Sequence, residues 1–221
     1  MPQGSVVGLI LFLIHCADVM AIARRHALGV HLYADDSQLY FRADPVETGV
    51  KVLQLVTCVD ETSQWMSANS WKLNKYKMQF IWLGASLQLS KVQCQKITMG
   101  GTDIQIPTEA MCLSVLLDSK LTFAPHVRRL SGKCFYHLRQ MRTLHWSLTE
   151  DAAKTMVHAF VTSQIDYCNS VIHTSSTVDI RPVQNALSAA ARLVLQKRKF
   201  DHITADGNGD FYLKIYLKSL D

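Results

Sequence analysis

Tyr33-Ala34-Asp35-Asp36 sets two adjacent carboxylates between two short runs of strand-forming residues, Gly29-Val30-His31-Leu32-Tyr33 before it and Ser37-Gln38-Leu39-Tyr40-Phe41 after it. β-Branched, aromatic and aliphatic residues dominate both flanks, so the stretch reads as a β-hairpin with the acids at its tip. Core packing gives no reason for acids there. Neighbouring like charges repel and raise each other's proton affinity unless a cation neutralises them, and hard oxygen ligands suit Mg²⁺ or Mn²⁺. From these four residues alone a plain turn is the alternative, because aspartate tolerates turn conformations.

Upstream, the apolar run Val6 to Ile14 is too short to span a bilayer and is followed by His15 and Asp18. No basic residue precedes it, so a buried amphipathic helix from near Ser5 to about Arg25 is expected rather than a signal peptide, and no membrane partner. Downstream, Asp44-Pro45-Val46-Glu47 signals a helix start, with Asp44 as N-cap, Pro45 first in the helix and Glu47 completing a capping pair. Val46, Val50, Leu53, Val56 and Val59 are expected to form its inner face. Met78 to Leu83 predicts a strand, Gln95 to Met99 and Thr102 to Ile106 a hairpin around Gly100-Gly101, and Ser114 to Leu117 a further strand. After Pro125 the pattern turns helical, over Pro125 to Leu144, Thr149 to Tyr167 and Thr177 to Gln196, with Glu150 and Asp151 placed where a helix dipole favours acids. Strands with packing helices followed by helices alone predict an α+β unit and then an α-helical one, with boundaries at 1–123, 124–200 and a tail at 201–221.

A hydrophobic share of 48% with 19% charged residues is that of a folded chain. The net charge of +5 and pI near 8.9 favour a polyanionic partner only mildly. Distribution says more: from Ser119 to Thr149 there is no Asp or Glu, while Lys120, Arg128, Arg129, Lys133, Arg139 and Arg142 fall there with His126, His137 and His145. Six cysteines without a C-x-x-C pair predict free thiols in a reducing, intracellular setting, nucleus and cytoplasm not being distinguished.

Pro2-Gln3-Gly4-Ser5, then Leu32-Tyr33-Ala34-Asp35-Asp36-Ser37-Gln38-Leu39-Tyr40, then Trp65-Met66-Ser67-Ala68-Asn69 with Lys72-Leu73-Asn74 and Lys77, resemble in order and spacing the reverse transcriptases of non-LTR (LINE-type) retrotransposons. Leu116-Leu117-Asp118-Ser119-Lys120-Leu121-Thr122-Phe123 is similar to that family's primer grip. Ile165-Asp166-Tyr167-Cys168-Asn169-Ser170, Val183-Gln184-Asn185-Ala186 and Ala189-Ala190-Ala191-Arg192 are similar to its thumb and the segment after it. The likeness covers roughly residues 1 to 205, on motifs that are each weak alone.

This resemblance implies a right-hand polymerase palm, an antiparallel sheet with packing helices, followed by a helical thumb. It implies Asp35 and Asp36 as catalytic metal ligands for a pair of Mg²⁺ or Mn²⁺ ions, and Lys77 as an aid to pyrophosphate departure. Gln3, Gly4, Ser5, Tyr33 and Ala34 would lie by the nucleotide and template. Lys120, Arg128, Arg129, Lys133, Arg139 and Arg142 would follow the duplex of RNA template and DNA primer. Leu9 stands where the family usually has proline, Ser114 where it has glycine, and Met78-Gln79 where it has Thr-Glu. In the family the third acid and the fingers lie upstream of the Pro-Gln-Gly-Ser motif, which here follows Met1 directly. The expectation is therefore a truncated polymerase region, inactive alone and able to self-associate through the exposed palm. Asp18, Asp44 and Glu47 have structural roles to fill and do not replace the third acid. The alternatives are a non-enzymatic nucleic-acid-binding module and an element fragment without a selected role.

Overall fold

A computed structural model describes residues 6–34, 36–74, 77–99, 101–167, 169–170 and 177–197. Two compact units divide the chain, Met1–Leu113 and Ser114–Asp221. Leu113 and Ser114, on either side of the division, both have positive φ, 45° and 67°.

In the first unit, helix α1 (Val6–Arg25) buries Cys16, Val19, Ile22 and Ala23, an inner stripe at helical spacing. Of the apolar run before it, the described side chains are Ile10 and Ile14, and both are exposed. Ser5 lies outside the described residues. Strands β1 (Gly29–Tyr33) and β2 (Asp36–Tyr40) form the expected hairpin, antiparallel from Gly29↔Tyr40 to Tyr33↔Asp36. That register closes the hairpin with Tyr33 opposite Asp36, and Ala34 leads into the turn. Ala34 sits at φ 52°, the left-handed conformation that a two-residue hairpin turn demands.

Helix α2 is Thr48–Ala68, so the predicted start at Asp44 is corrected. Asp44 to Glu47 form a turn instead, closed by the Glu47 N–H on the Asp44 carbonyl at 2.9 Å, and the Thr48 hydroxyl donates to the Pro45 carbonyl at 3.0 Å. Glu47 is the N-cap residue and makes no side-chain capping bond. The predicted inner face is corrected in part. Val46, Val50 and Leu53 are exposed, while Val59, as expected, is buried with Leu55, Cys58 and Thr62, and Val56 packs against the same core. At about 100° per residue, a step of three repeated alone drifts around the helix, whereas alternating threes and fours hold one face.

No ladder forms over Met78 to Leu83, contrary to the strand predicted there. The segment is held by side chains instead: Trp82 Nε1 donates to the Cys94 carbonyl at 3.0 Å, and Gln79 Oε1 accepts the Met111 N–H at 2.8 Å. A four-residue helix, α3 (Ser86–Leu89), follows. Strands β3 (Lys96–Met99) and β4 (Thr102–Gln105) form the second predicted hairpin, with Gly101 at φ 79° in its turn. Strand β5 (Glu109–Cys112) was not foreseen. One core joins α1, α2, β3 and the segments between, through Ile22, Leu28, Leu55, Cys58, Ile97 and Met99.

The second unit begins with β6 (Val115–Asp118) and continues with α4 (Ala124–Thr143) and α5 (Glu150–Val157). Thr149 caps α5, its Oγ1 accepting the Ala152 N–H at 3.3 Å. The single helix predicted over Thr149 to Tyr167 is interrupted by a π-helical turn, His158–Thr162, before α6 (Ser163–Asp166). Thr162 and Ser163 hydroxyls donate to the His158 and Ala159 carbonyls at 3.1 and 2.6 Å, and such back-bonding bends a helix at this point. Helix α7 (Thr177–Val194) completes the unit. Val127, Leu130, Cys134, Leu138, Val161, Ile165, Val183, Ala186 and Leu193 form its core. Burial pushes the Cys134 thiol up to about 11, so it stays protonated at neutral pH. The five described cysteines are free thiols, and Cys168 lies outside the described residues. Among the described residues no helix is long and apolar enough to cross a membrane.

Candidate functional site

Alternation along the β1–β2 hairpin decides what the acid-bearing tip can reach. Val30 and Leu39 are paired and pack against the core, so the other face carries His31, Tyr33, Asp36, Gln38 and Tyr40. Asp36 opens β2 opposite Tyr33, and both are exposed. Tyr40 stacks on His31 with ring centroids 5.0 Å apart, and its ring covers Gly29, where a Cβ would collide with it. Gln38 fixes the hairpin to β5 by donating to Cys112 Sγ at 2.9 Å. A carboxylate is thus held on a braced, solvent-facing ladder. Asp35 lies outside the described residues, as do Gln3, Gly4 and Ser5.

Behind the hairpin, α1 is tied to α2 by Arg25 and His26, which both meet Glu61, His26 Nε2 at 2.6 Å. The hydrogen bond from His26, with the Arg25 charge, holds the Glu61 carboxyl below its ordinary value. Lys77 is exposed, and its N–H donates to the Asn74 carbonyl at 3.1 Å. Among the described residues no hydrogen bond or ion pair joins Lys77 to Asp36.

The predicted basic stretch divides in the structure. Arg128, Arg129, Lys133, Arg139 and Arg142 are all exposed on α4. At about 100° per residue they fall within half of the helix circumference, opposite Val127, Leu130, Cys134, Leu138 and Met141. Among the described residues none of the five has a carboxylate within ion-pair distance. His126 does not share in this charge. It is 6% exposed, and its Nδ1 accepts the Leu116 N–H at 3.2 Å. Burial first, then Lys133 and Arg129, lowers its pKa, so it is neutral at pH 7.

Lys120 lies before α4, in a loop organised by Asp118. That carboxylate accepts the Phe123 N–H at 2.7 Å, the Thr122 hydroxyl at 3.1 Å and the Lys120 N–H at 3.3 Å. Burial by itself would raise the Asp118 pKa, but these hydrogen bonds together bring it below its ordinary value. The motif reading placed Asp118 in a primer-grip word without seeing this role. An Asp followed by Thr four residues later and a helix start six residues later is the local signal for this role.

The chain is similar to a probable RNA-directed DNA polymerase from transposon BS of Drosophila melanogaster, at 28% identity over 164 residues. That match takes in 70% of this chain and 17% of the relative, so the chain spans a small part of the protein it matches. No protein-family profile matches the chain, and no solved structure matches it. The likeness to retrotransposon reverse transcriptases, first read from short motifs, therefore extends along most of the chain.

Proposed function

We propose, on the premise that this chain is related to transposon RNA-directed DNA polymerases, that residues 1–123 are a polymerase palm and the helical region 124–200 a thumb. The carrying observation is the Tyr33↔Asp36 pair, which puts Asp36, the second of two acids adjacent in the sequence, at an exposed hairpin end. Mg²⁺ or Mn²⁺ fits this donor set: Asp36 offers hard oxygens on a solvent-facing ladder, with Asp35 next to it in sequence. When bound, paired ions neutralise charge on the attacking primer hydroxyl and the leaving pyrophosphate. This chain's own contribution is the paired hairpin, whose register sets where Asp36 stands. In the same reading Tyr33, Ala34 and residues 3–5 lie by the nucleotide and template, and Lys77 assists departure of pyrophosphate.

Mn²⁺ titration followed by paramagnetic broadening tests the hairpin. Resonances of residues 32–38 should broaden in the parent chain and stay sharp in Asp35→Asn/Asp36→Asn. Equal broadening in both would remove the hairpin as a metal site.

The α4 face is proposed to follow the RNA–DNA duplex, since spaced arginines and lysines neutralise phosphates without reading sequence. With roughly three phosphates neutralised, log affinity should fall with log salt at a slope of about −2 to −3. Replacing Arg128, Arg129 and Lys133 with Ala should flatten that slope while helix content stays unchanged. An unchanged slope would favour the fragment without a selected role.

A further inference from the structure

We propose that the groove between α4 and α7 binds a single-stranded nucleic-acid segment, with Arg139, Arg142 and Arg192 at its phosphates and Phe135 beneath a base. The two helices share one buried seam, Leu138 and Met141 of α4 lying in the same core as Ala186, Ala190 and Leu193 of α7. Beside it lies a cavity of about 410 Å³. Phe135, Arg139 and Arg142 stand at i, i+4 and i+7 in α4, and Asn185, Ser188 and Arg192 at i, i+3 and i+7 in α7. Each helix thus turns one stripe toward a common opening.

Charge and shape choose the occupant. The lining contains three guanidinium groups and no Asp or Glu. A ligand with several anionic oxygens matches the planar fork of each arginine. Asn185 and Ser188 add neutral hydrogen-bonding groups at the rim. A cavity of this volume takes a nucleotide-sized group, whereas a double helix would lie across the opening without entering it. Phe135 is the aromatic residue in the lining, and a cationic groove with an aromatic platform is how single strands are held without sequence preference. Helix α7 enters the binding surface only here, because the duplex reading used α4 and Lys120 alone. The proposal rests on that reading for the class of ligand and shares Arg139 and Arg142 with it, whereas Phe135 and Arg192 are its own.

Fluorescence anisotropy with a labelled eight-nucleotide oligo(dT) and the full 221-residue chain tests the groove. Arg142→Gln/Arg192→Gln and Arg128→Gln/Arg129→Gln each remove two positive charges, so bulk electrostatics is matched between them. The groove pair should weaken binding about 10-fold or more and the outer pair less than about 3-fold, bound phosphate contacts outweighing diffuse attraction. Phe135→Leu should cost at least about 5-fold, the lower end for a stacked base. Should Phe135→Leu fail to fold, Arg142→Lys/Arg192→Lys replaces it, with affinity expected between the parent and the Gln pair. Equal losses in the two arginine pairs, no loss in the groove pair, or no binding by the parent chain would overturn the proposal. In a parallel titration with an RNA–DNA duplex the order of the pairs should reverse. Failure of the groove with the outer pair still weakening duplex binding leaves the thumb reading standing.

Discussion

Incubated with a primed RNA template, deoxynucleotides and Mg²⁺ or Mn²⁺, the 221-residue polypeptide is expected to add no nucleotide to the primer. A two-ion site holds both the attacking and the leaving oxygen, and the ions need carboxylates on more than one side. The hairpin carries Asp36 at the end of a single ladder, and Asp35 adjoins it in the sequence. Asp18, exposed on α1, and Asp44, in the turn before α2, are carried by other elements, and no interaction among the described residues joins either to Asp36. Asp118 has its oxygens engaged by three donors of its own loop. With carboxylates on one side alone, a cation pair would be neither positioned nor neutralised, and the loss should be complete on a denaturing gel. Primer extension that disappears in Asp35→Ala/Asp36→Ala would overturn this argument, and that variant also controls for a contaminating polymerase. Within a longer polypeptide that carries a third carboxylate on a neighbouring strand, the same residues should support extension.

How far the residues announced their structure depended on the range of the interaction involved. The β1–β2 hairpin was legible because its period of two and its turn chemistry are both local. Helices α4 and α7 were legible for the same reason, since their buried stripes recur every three or four residues. The start of α2 was misread because Asp44-Pro45 and Glu47 match a capping pattern that also suits a turn, and the buried Thr48 settled it by hydrogen bonding back to Pro45. Over Met78 to Leu83 the strand-forming residues Phe80, Ile81 and Trp82 were real, but a strand needs a partner, and side-chain bonds from Gln79 and Trp82 took that place. Glu109-Ala110-Met111-Cys112 contains no β-branched residue, so nothing local marked β5. The acid pair of the candidate site was visible in four residues. Arg192 was not visible as a neighbour of Arg139 and Arg142, because only the packing of two helices distant in sequence makes one groove of them.

Asp118→Ala is expected to destabilise the entry to α4 by about 3 kcal/mol, from the loss of several hydrogen bonds to a charged, largely buried acceptor. Two features make this loop dependent on one side chain. Leu121 and Phe123 hold φ values of 53° and 58°, a region that costs a non-glycine residue about 1–3 kcal/mol unless its surroundings enforce it. Phe123 is also the N-cap residue of α4 and has no side chain able to cap, so the carboxylate of Asp118 takes up its N–H in place of a capping residue. Amide exchange over residues 124–128 should quicken roughly 100-fold in the variant, while the α7 amides change far less. Asp118→Asn keeps one acceptor oxygen and should lose about half as much. The pH dependence has a fixed sign. The folded-state pKa of Asp118 lies below its unfolded value, so its stabilisation is fully present above about pH 4 and is lost as pH falls through the folded pKa. An acid titration of α4 protection in the parent chain should therefore approach the Asp118→Ala level at low pH. Because α4 carries the arginines proposed to follow the duplex, loosening its first turn should also weaken duplex binding. Protection at 124–128 that is unaltered in Asp118→Ala would mean that helix packing, and not the carboxylate, holds the loop.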